Sequence, residues 1–197
     1  MAHLPPGFVT QQIRDSITVK EAMLADAELV AQIEAVARLI VDTYRGGGKV
    51  LIAGNGGSAA DAQHITAELV SRFAFDRPAL PAMALTTDTS ILTAISNDYG
   101  YENLFSRQLE ANARPGDVFI AISTSGNSPN ILRALATAGR LGLVAVGLSG
   151  AGGGRMAELC RYCMKIPASD TPRIQEGHIT IGHILCAITE QVLFGGE

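Results

Sequence analysis

Apolar positions make the first division of the chain. Between residues 16 and 45 they recur at helical spacing (Val19, Met23, Leu29, Val30, Ile33, Val36, Ala37, Ile40, Val41) until "GGGKV" stops the run. That pattern predicts one long helix and then a strand. Short, nearly unbroken apolar runs follow at 49–53 (KVLIA), 81–85 (PAMAL), 117–122 (DVFIAI), 143–148 (LVAVGL) and 162–166 (YCMKI). Helical stretches at 57–72, 88–97, 103–112, 129–140 and 173–194 separate and follow them. Strands without polar alternation are covered on both faces. The alternation of strand and helix predicts an α/β fold: a doubly wound, flavodoxin-like sheet of five parallel strands flanked by helices, preceded by a long N-terminal helix. No linker or low-complexity segment divides it, so residues 1–197 read as one domain, with the helix at 16–45 and the sheet core at 49–194. The first helix is too apolar for a free surface, and packing on another subunit is expected.

Composition narrows the classes. The chain is 47% hydrophobic and 17% charged with 21 glycines, which excludes a disordered polymer. A net charge of −4 gives no general nucleic-acid surface. The apolar runs are strand-sized, so no membrane span is expected, and the opening "MAHLPPGFVTQQ" lacks the apolar core of a secretory signal. The expected compartment is the cytoplasm. Cys160 and Cys163 form a CxxC just before a strand, without a second ligand pair. With Cys186 they read as buried, reduced thiols.

Two turns fall where ligands sit in such folds, beyond the carboxyl ends of strands. After "VFIAI" comes Ser123-Thr124-Ser125-Gly126-Asn127-Ser128, and Pro129 then suits the first turn of a helix. A helix start offers unpaired N–H groups and a partial positive charge. Hydroxyls added to it suit a phosphate without lysine or arginine. A cap by Ser128 is the plainer reading, but one serine suffices for that. The other turn, Asn55-Gly56-Gly57-Ser58, is neither a Walker loop nor a complete GxGxxG, which disfavours nucleoside triphosphates and dinucleotides. Its glycines admit a small ligand close to the backbone, and Asn55 can donate and accept toward hydroxyls.

The helix after the first turn places Asp61, His64 and Glu68 on one face. Histidine and carboxylate four apart can bind a metal, move a proton, or form an ordinary surface pair. The last helix brings Gln175, Glu176, His178 and His183 into an apolar run. Gln175 and His183 are eight apart, about 80° around the helix, and Glu176 and His183 are closer to alignment. His183, inside "TIGHILCAI", reads as buried, and His178 as a surface histidine.

At these residues the chain resembles a known family. "GNGGSAADAQHITAEL", "SNDYGYENLFSRQLE", "ISTSGNSPNIL" and "RIQEGHITIGHILC" are similar to the bacterial phosphoheptose isomerases of the sugar-isomerase (SIS) domain superfamily. The similarity runs from the N-terminal helix to about residue 194. It implies isomerisation of sedoheptulose 7-phosphate to D-glycero-D-manno-heptose 7-phosphate, a step toward activated heptose for lipopolysaccharide or capsule. It also implies a homotetramer with active sites between subunits and one Zn²⁺ per subunit held by His64, Glu68, Gln175 and His183. The implied sugar-phosphate contacts are Asn55, Gly56, Gly57, Ser58, Glu68, Asn97, Asp98, Ser123, Thr124, Ser125, Ser128 and Gln175. Glu68 is the expected base and His183 the expected acid. Some members carry an acidic residue just before the Arg of Arg-Ile-Gln; Pro172 stands there in this chain, leaving Asp170 or Thr171 as the substitute. Two rivals share the fold: a non-catalytic SIS protein that binds the replication initiator DnaA, and a sugar-phosphate sensor. The presence of both Glu68 and His183 disfavours the first, and the absence of a DNA-binding domain disfavours the second.

Overall fold

The computed structural model describes residues 5–195. Five strands, β1 (Val50–Gly54), β2 (Ala82–Ala84), β3 (Val118–Ile122), β4 (Val144–Gly150) and β5 (Tyr162–Ile166), form one parallel sheet in the order β2-β1-β3-β4-β5. Among the described residues seven α-helices surround it: α1 (Phe8–Ala25), α2 (Ala27–Arg45), α3 (Gly57–Val70), α4 (Thr89–Tyr99), α5 (Leu104–Asn112), α6 (Pro129–Arg140) and α7 (Thr171–Phe194). The doubly wound sheet matches the expectation, and strand pleating shows why both faces are apolar. Val50, Ile52, Val118, Ile120 and Ile122 point to one side, where Ile40 of α2, Ile65 of α3 and Ile181 of α7 close over them. Leu51, Ala53, Phe119 and Ala121 point to the other, against Leu109 of α5 and Ile131 and Leu135 of α6. In the β1–β3 register Gly54 pairs with Ile122. Asn55 and Ser123 therefore leave the sheet side by side, at the point where the strand order reverses.

The N-terminal region departs from one continuous helix over 16–45. It is two helices, beginning at Phe8 and broken at Asp26. The Asp26 side chain accepts a hydrogen bond from the Leu29 N–H at 3.0 Å, and its backbone is extended (φ −85°, ψ 92°). A short carboxylate that caps a new helix competes with continuing the old one. Helix α2 then buries Val36, Ala37, Ile40 and Val41. On α1 only Met23 is buried, while Val9, Ile13, Ile17 and Leu24 lie exposed along one stripe. Helix α1 is tied to the start of α7 in both directions: the Arg173 side chain donates to the Gln12 carbonyl at 2.8 Å and the Lys20 side chain to the Glu176 carbonyl at 3.4 Å.

Helix α7 reverses the expected placing of its histidines. The buried residues Ile174, His178, Ile181 and Leu185 share the stripe that faces the sheet, so His178 is the core histidine. Its Nε2–H donates to the Ser149 carbonyl at 3.2 Å, and its Nδ1 has no partner. His183, five residues on and about 140° around the helix, is only partly buried. All three cysteines are free. Cys186 is buried, whereas Cys160 and Cys163 are half-buried rather than fully enclosed. Burial pushes the Cys160 and Cys186 thiols up to about 12, so they stay protonated near neutral pH. Among the described residues no helix is long and apolar enough to cross a membrane.

Two stability predictions follow from this packing. Asp26→Ala removes the cap of α2 and is expected to cost about 1 kcal/mol, a fall in Tm of about 2–4 °C for a chain of this size. A calorimetric scan with an unchanged Tm would show that α2 does not depend on that cap. Burial pushes His178 down to about 4, against its ordinary 6.5, with the Ser149 hydrogen bond opposing part of the shift. The neutral ring is the one that fits the fold. Its contribution is therefore complete above pH 6.5 and is lost as pH falls through 4, by on the order of 3 kcal/mol. Stability measured by denaturant between pH 7 and 4 should fall more steeply for the wild type than for His178→Gln, and equal slopes would exclude this source.

Candidate active site

The crevice begins where β1 and β3 release the chain. After β3, the Ser123 N–H donates to the Leu148 carbonyl at 3.0 Å, which holds the first loop residue against β4. Gly126 takes φ 65°, and a Cβ there would collide with the Gly153 carbonyl, so the loop can lie flat on the Gly153–Gly154 backbone only as glycine. Asn127 fixes the far side, its amide donating to the Ser125 carbonyl at 2.9 Å. The Ser123 and Ser128 hydroxyls meet at 3.0 Å. Ser128 makes no capping hydrogen bond at the start of α6. The capping alternative therefore does not describe this loop: its hydroxyls face one another at a helix start where Pro129 lacks an N–H and those of Ile131 and Leu132 are already bonded, to Asn130 Oδ1 and to the Ser128 carbonyl. Ser123 is buried, Thr124 and Ser128 are partly so, and Ser125 is exposed.

The β1 side is built from amides. Asn55 and Asn130 exchange two hydrogen bonds of 2.9 Å, and the Tyr101 hydroxyl donates to the Asn55 Oδ1 at 2.9 Å. Asn130 also accepts the Ile131 N–H. Asn130 and Tyr101 did not stand out in the sequence. The available signal was an asparagine spaced four residues before Ala134, on the face of α6 that the structure buries. Gly56 and Gly57 are exposed and Ser58 is buried. Asn97 and Asp98, in the last turn of α4, are exposed and hydrogen-bonded to each other at 2.7 Å. Asp170 stands at the N-cap of α7 without making a capping bond, and Thr171 and Pro172 are exposed in its first turn.

Helices α3 and α7 run side by side in the same direction. The Gln175 amide lies where a Cβ of Gly57 would be, and further along Ile65 packs on Gly182. Continuing along both helices brings His64, Glu68 and His183 together. The Nε2 atoms of His64 and His183 are 3.1 Å apart, and Glu68 Oε1 is 3.2 Å from His64 Nε2. Gln175 lies two turns before His183, with its amide on Gly57 rather than in this cluster. Phe73 stands over His183 with ring centroids 5.8 Å apart. A cavity of about 360 Å³ opens beside Glu68, lined by Ala67, Ser71, Arg72 and Phe73. A roomier one of about 580 Å³ lies at the opposite end of the sheet, where Lys49 is already paired with Asp117 at 2.6 Å, away from this chemistry.

The three residues fit a divalent metal. Their ligand atoms all lie within 4.8 Å of one another. Tetrahedral zinc with ligands at about 2.0–2.1 Å places neighbouring donors about 3.3 Å apart, close to the two separations seen. Two imidazole nitrogens facing each other are also poor hydrogen-bond partners unless one carries the proton, whereas both lone pairs can serve one cation. One turn before His64, Asp61 holds a buried Oδ2 without a partner. Desolvation pushes its carboxyl above the usual range, and His64 opposes the shift.

The chain resembles known proteins over most of its length. The SIS domain family matches residues 16–150. The chain is 63% identical over 187 residues to the phosphoheptose isomerase of Aneurinibacillus thermoaerophilus, covering 95% of this chain and 94% of the relative. It is 59% identical over 189 residues to phosphoheptose isomerase 2 of Campylobacter jejuni, covering 96% and 94%. The fold matches the solved phosphoheptose isomerase of Neisseria gonorrhoeae with a TM-score of 0.87 at 40% identity, covering 93% of this chain and 97% of that one. For the Francisella tularensis enzyme the TM-score is 0.88 at 36% identity, covering 93% and 96%. The extent of these matches, over a sheet switch point with a hydroxyl loop and a His-Glu-His cluster, shows that the chain belongs to the phosphoheptose isomerase family of SIS-domain proteins.

Proposed function

We propose that the chain interconverts sedoheptulose 7-phosphate and D-glycero-D-manno-heptose 7-phosphate through an enediol, supplying heptose for a surface polysaccharide. The observation that carries this reading is the convergence of Glu68 with His64 and His183 in a family member whose hydroxyl loop suits a phosphate. Ser123, Thr124, Ser125 and Ser128, in the loop before α6, hold the phosphate. Asn55, Gly56, Gly57, Ser58, Gln175, Asn97 and Asp98 meet the sugar hydroxyls, and the Asn55 amide is already oriented by Asn130 and Tyr101.

Aldose–ketose exchange moves one proton between neighbouring carbons. Glu68 takes the C1 proton of the ketose and returns it to C2. His183 supplies a proton to O2 and receives the one leaving O1, so protons balance over the cycle. One Glu68 oxygen faces His64, leaving the other for the carbon acid. Zinc held by His64, Glu68 and His183, with the fourth position open to Gln175 or the substrate, would polarise the carbonyl. The exposed stripe of α1 supports a homotetramer with sites between subunits, and the compartment proposed is the cytoplasm.

Turnover of sedoheptulose 7-phosphate by the purified protein, with and without chelator, tests the reading. Glu68→Gln keeps the shape of the side chain and removes the base. It is expected to lower kcat by about 10²–10⁴-fold with KM little changed, and a stable variant with near-normal turnover would remove Glu68 from this role. Zinc is expected to copurify at partial occupancy and to be lost in His64→Ala. Elemental analysis that finds none in the wild type after supplementation would leave the acid–base pair to act alone.

A further inference from the structure

The loop after α3 is held by a buried ion pair outside the reacting cluster. Glu190 and Arg77 are 1% and 2% exposed at their side chains, and Arg77 Nε donates to Glu190 Oε2 at 3.0 Å. Glu190 also accepts three consecutive backbone N–H groups, from Phe73 at 2.7 Å, Ala74 at 2.6 Å and Phe75 at 3.2 Å. Arg77 makes three further bonds to backbone carbonyls, two of them in the last turn of α3. Its Nη2 reaches the carbonyl of Glu68 at 2.8 Å, and its Nη1 reaches those of Leu69 at 2.7 Å and Pro78 at 3.0 Å. Glu190 lies seven residues after His183, on nearly the same face of α7. One pair thus grips the helix that carries Glu68 at the Glu68 peptide itself and the helix that carries His183 two turns further on. It also fixes the segment that lays Phe73 against the His183 ring.

We infer that Arg77 and Glu190 are positioning residues for the isomerase site, a tie between α3 and α7 that sets the spacing of Glu68 and His64 from His183. The inference rests on the proposed activity for its consequence, though not for its geometry. A pair kept for stability alone needs no bond to the Glu68 carbonyl, and burying two charges is a poor route to stability. Only arginine has the planar fork that reaches a carboxylate and the carbonyls of two successive residues together. The phosphate loop, at the other end of α3, is untouched by the tie.

The test uses the full-length protein with Arg77→Lys, which keeps the buried charge and loses the fork. Leu109→Ala, in the core on the opposite face of the sheet, serves as a control for general destabilisation. Glu190→Asp is added as the milder change, which keeps the buried charge and shortens its arm by one methylene. Two readouts are taken per folded molecule: kcat and KM, and the affinity for Co²⁺ alone, followed by its visible ligand-field absorption. Losing a group that orients ligands typically costs about 10–100-fold in metal affinity or activity. The expected result is a loss of that size in kcat and Co²⁺ affinity for Arg77→Lys, with KM within about twofold. Glu190→Asp should show a smaller loss in the same two quantities, and Leu109→Ala neither loss. If Arg77→Lys does not fold, Glu190→Asp decides by the same criteria. Wild-type kcat and Co²⁺ affinity in whichever variant decides, or equal losses in Leu109→Ala, would overturn the tie. A wild type without sugar-phosphate turnover, whose Co²⁺ affinity still falls on substitution, would overturn the isomerase reading and leave the tie standing.

Discussion

At Gly182, α7 approaches α3 so closely that a Cβ would lie 2.6 Å from the Ile65 terminal carbon. That contact sets where the polar groups of the site fall. Because the helices run in the same direction, positions on one index positions on the other: Gly57 meets Gln175 at the start, Ile65 meets Gly182 midway, and His64 and Glu68, before and after Ile65, meet His183 beside that contact. A side chain at 182 would spread the helices and separate the three ligand atoms together. The apolar contact and the metal-compatible cluster are thus two outcomes of one packing.

The sheet imposes the second constraint. Parallel strands deliver their chain ends to one edge, and reversal of strand order between β1 and β3 opens a gap there that no crossover fills. Asn55 and Ser123 emerge into that gap as neighbours because Gly54 and Ile122 are paired. The reciprocal Asn55–Asn130 amides then bridge the two loops before any ligand arrives. Such preorganisation reduces the ordering that a bound sugar must impose.

Much of this was legible in the residues themselves. Unbroken runs such as VFIAI told of strands covered on both faces, and glycine-rich and serine-rich turns after two of them marked the crevice. The break at Asp26 was harder, since apolar spacing continues on both sides of it and only capping chemistry separates two helices from one. The histidines of α7 were misplaced for a different reason. Both lie in apolar surroundings in the sequence, and His178 is distinguished only by its alignment with Ile174, Ile181 and Leu185. Gln175, His64 and Glu68 could be placed on helix faces from spacing, but how α3 lies on α7 depends on contacts between residues more than a hundred apart. Glu190 and Arg77 were invisible for the same reason, since neither belongs to a local pattern.

The serine-rich loop between β3 and α6 contains neither lysine nor arginine. Hydroxyls and peptide N–H groups act as dipoles, whose attraction fades faster with distance than that of a charge. A protein of net charge −4 with such a loop exerts little long-range pull on anionic metabolites. On the proposed reading, in which this loop holds the phosphate, selection among phosphorylated compounds is made at contact, by shape and hydrogen-bond direction, and is largely sheltered from the ionic strength of the surrounding solution.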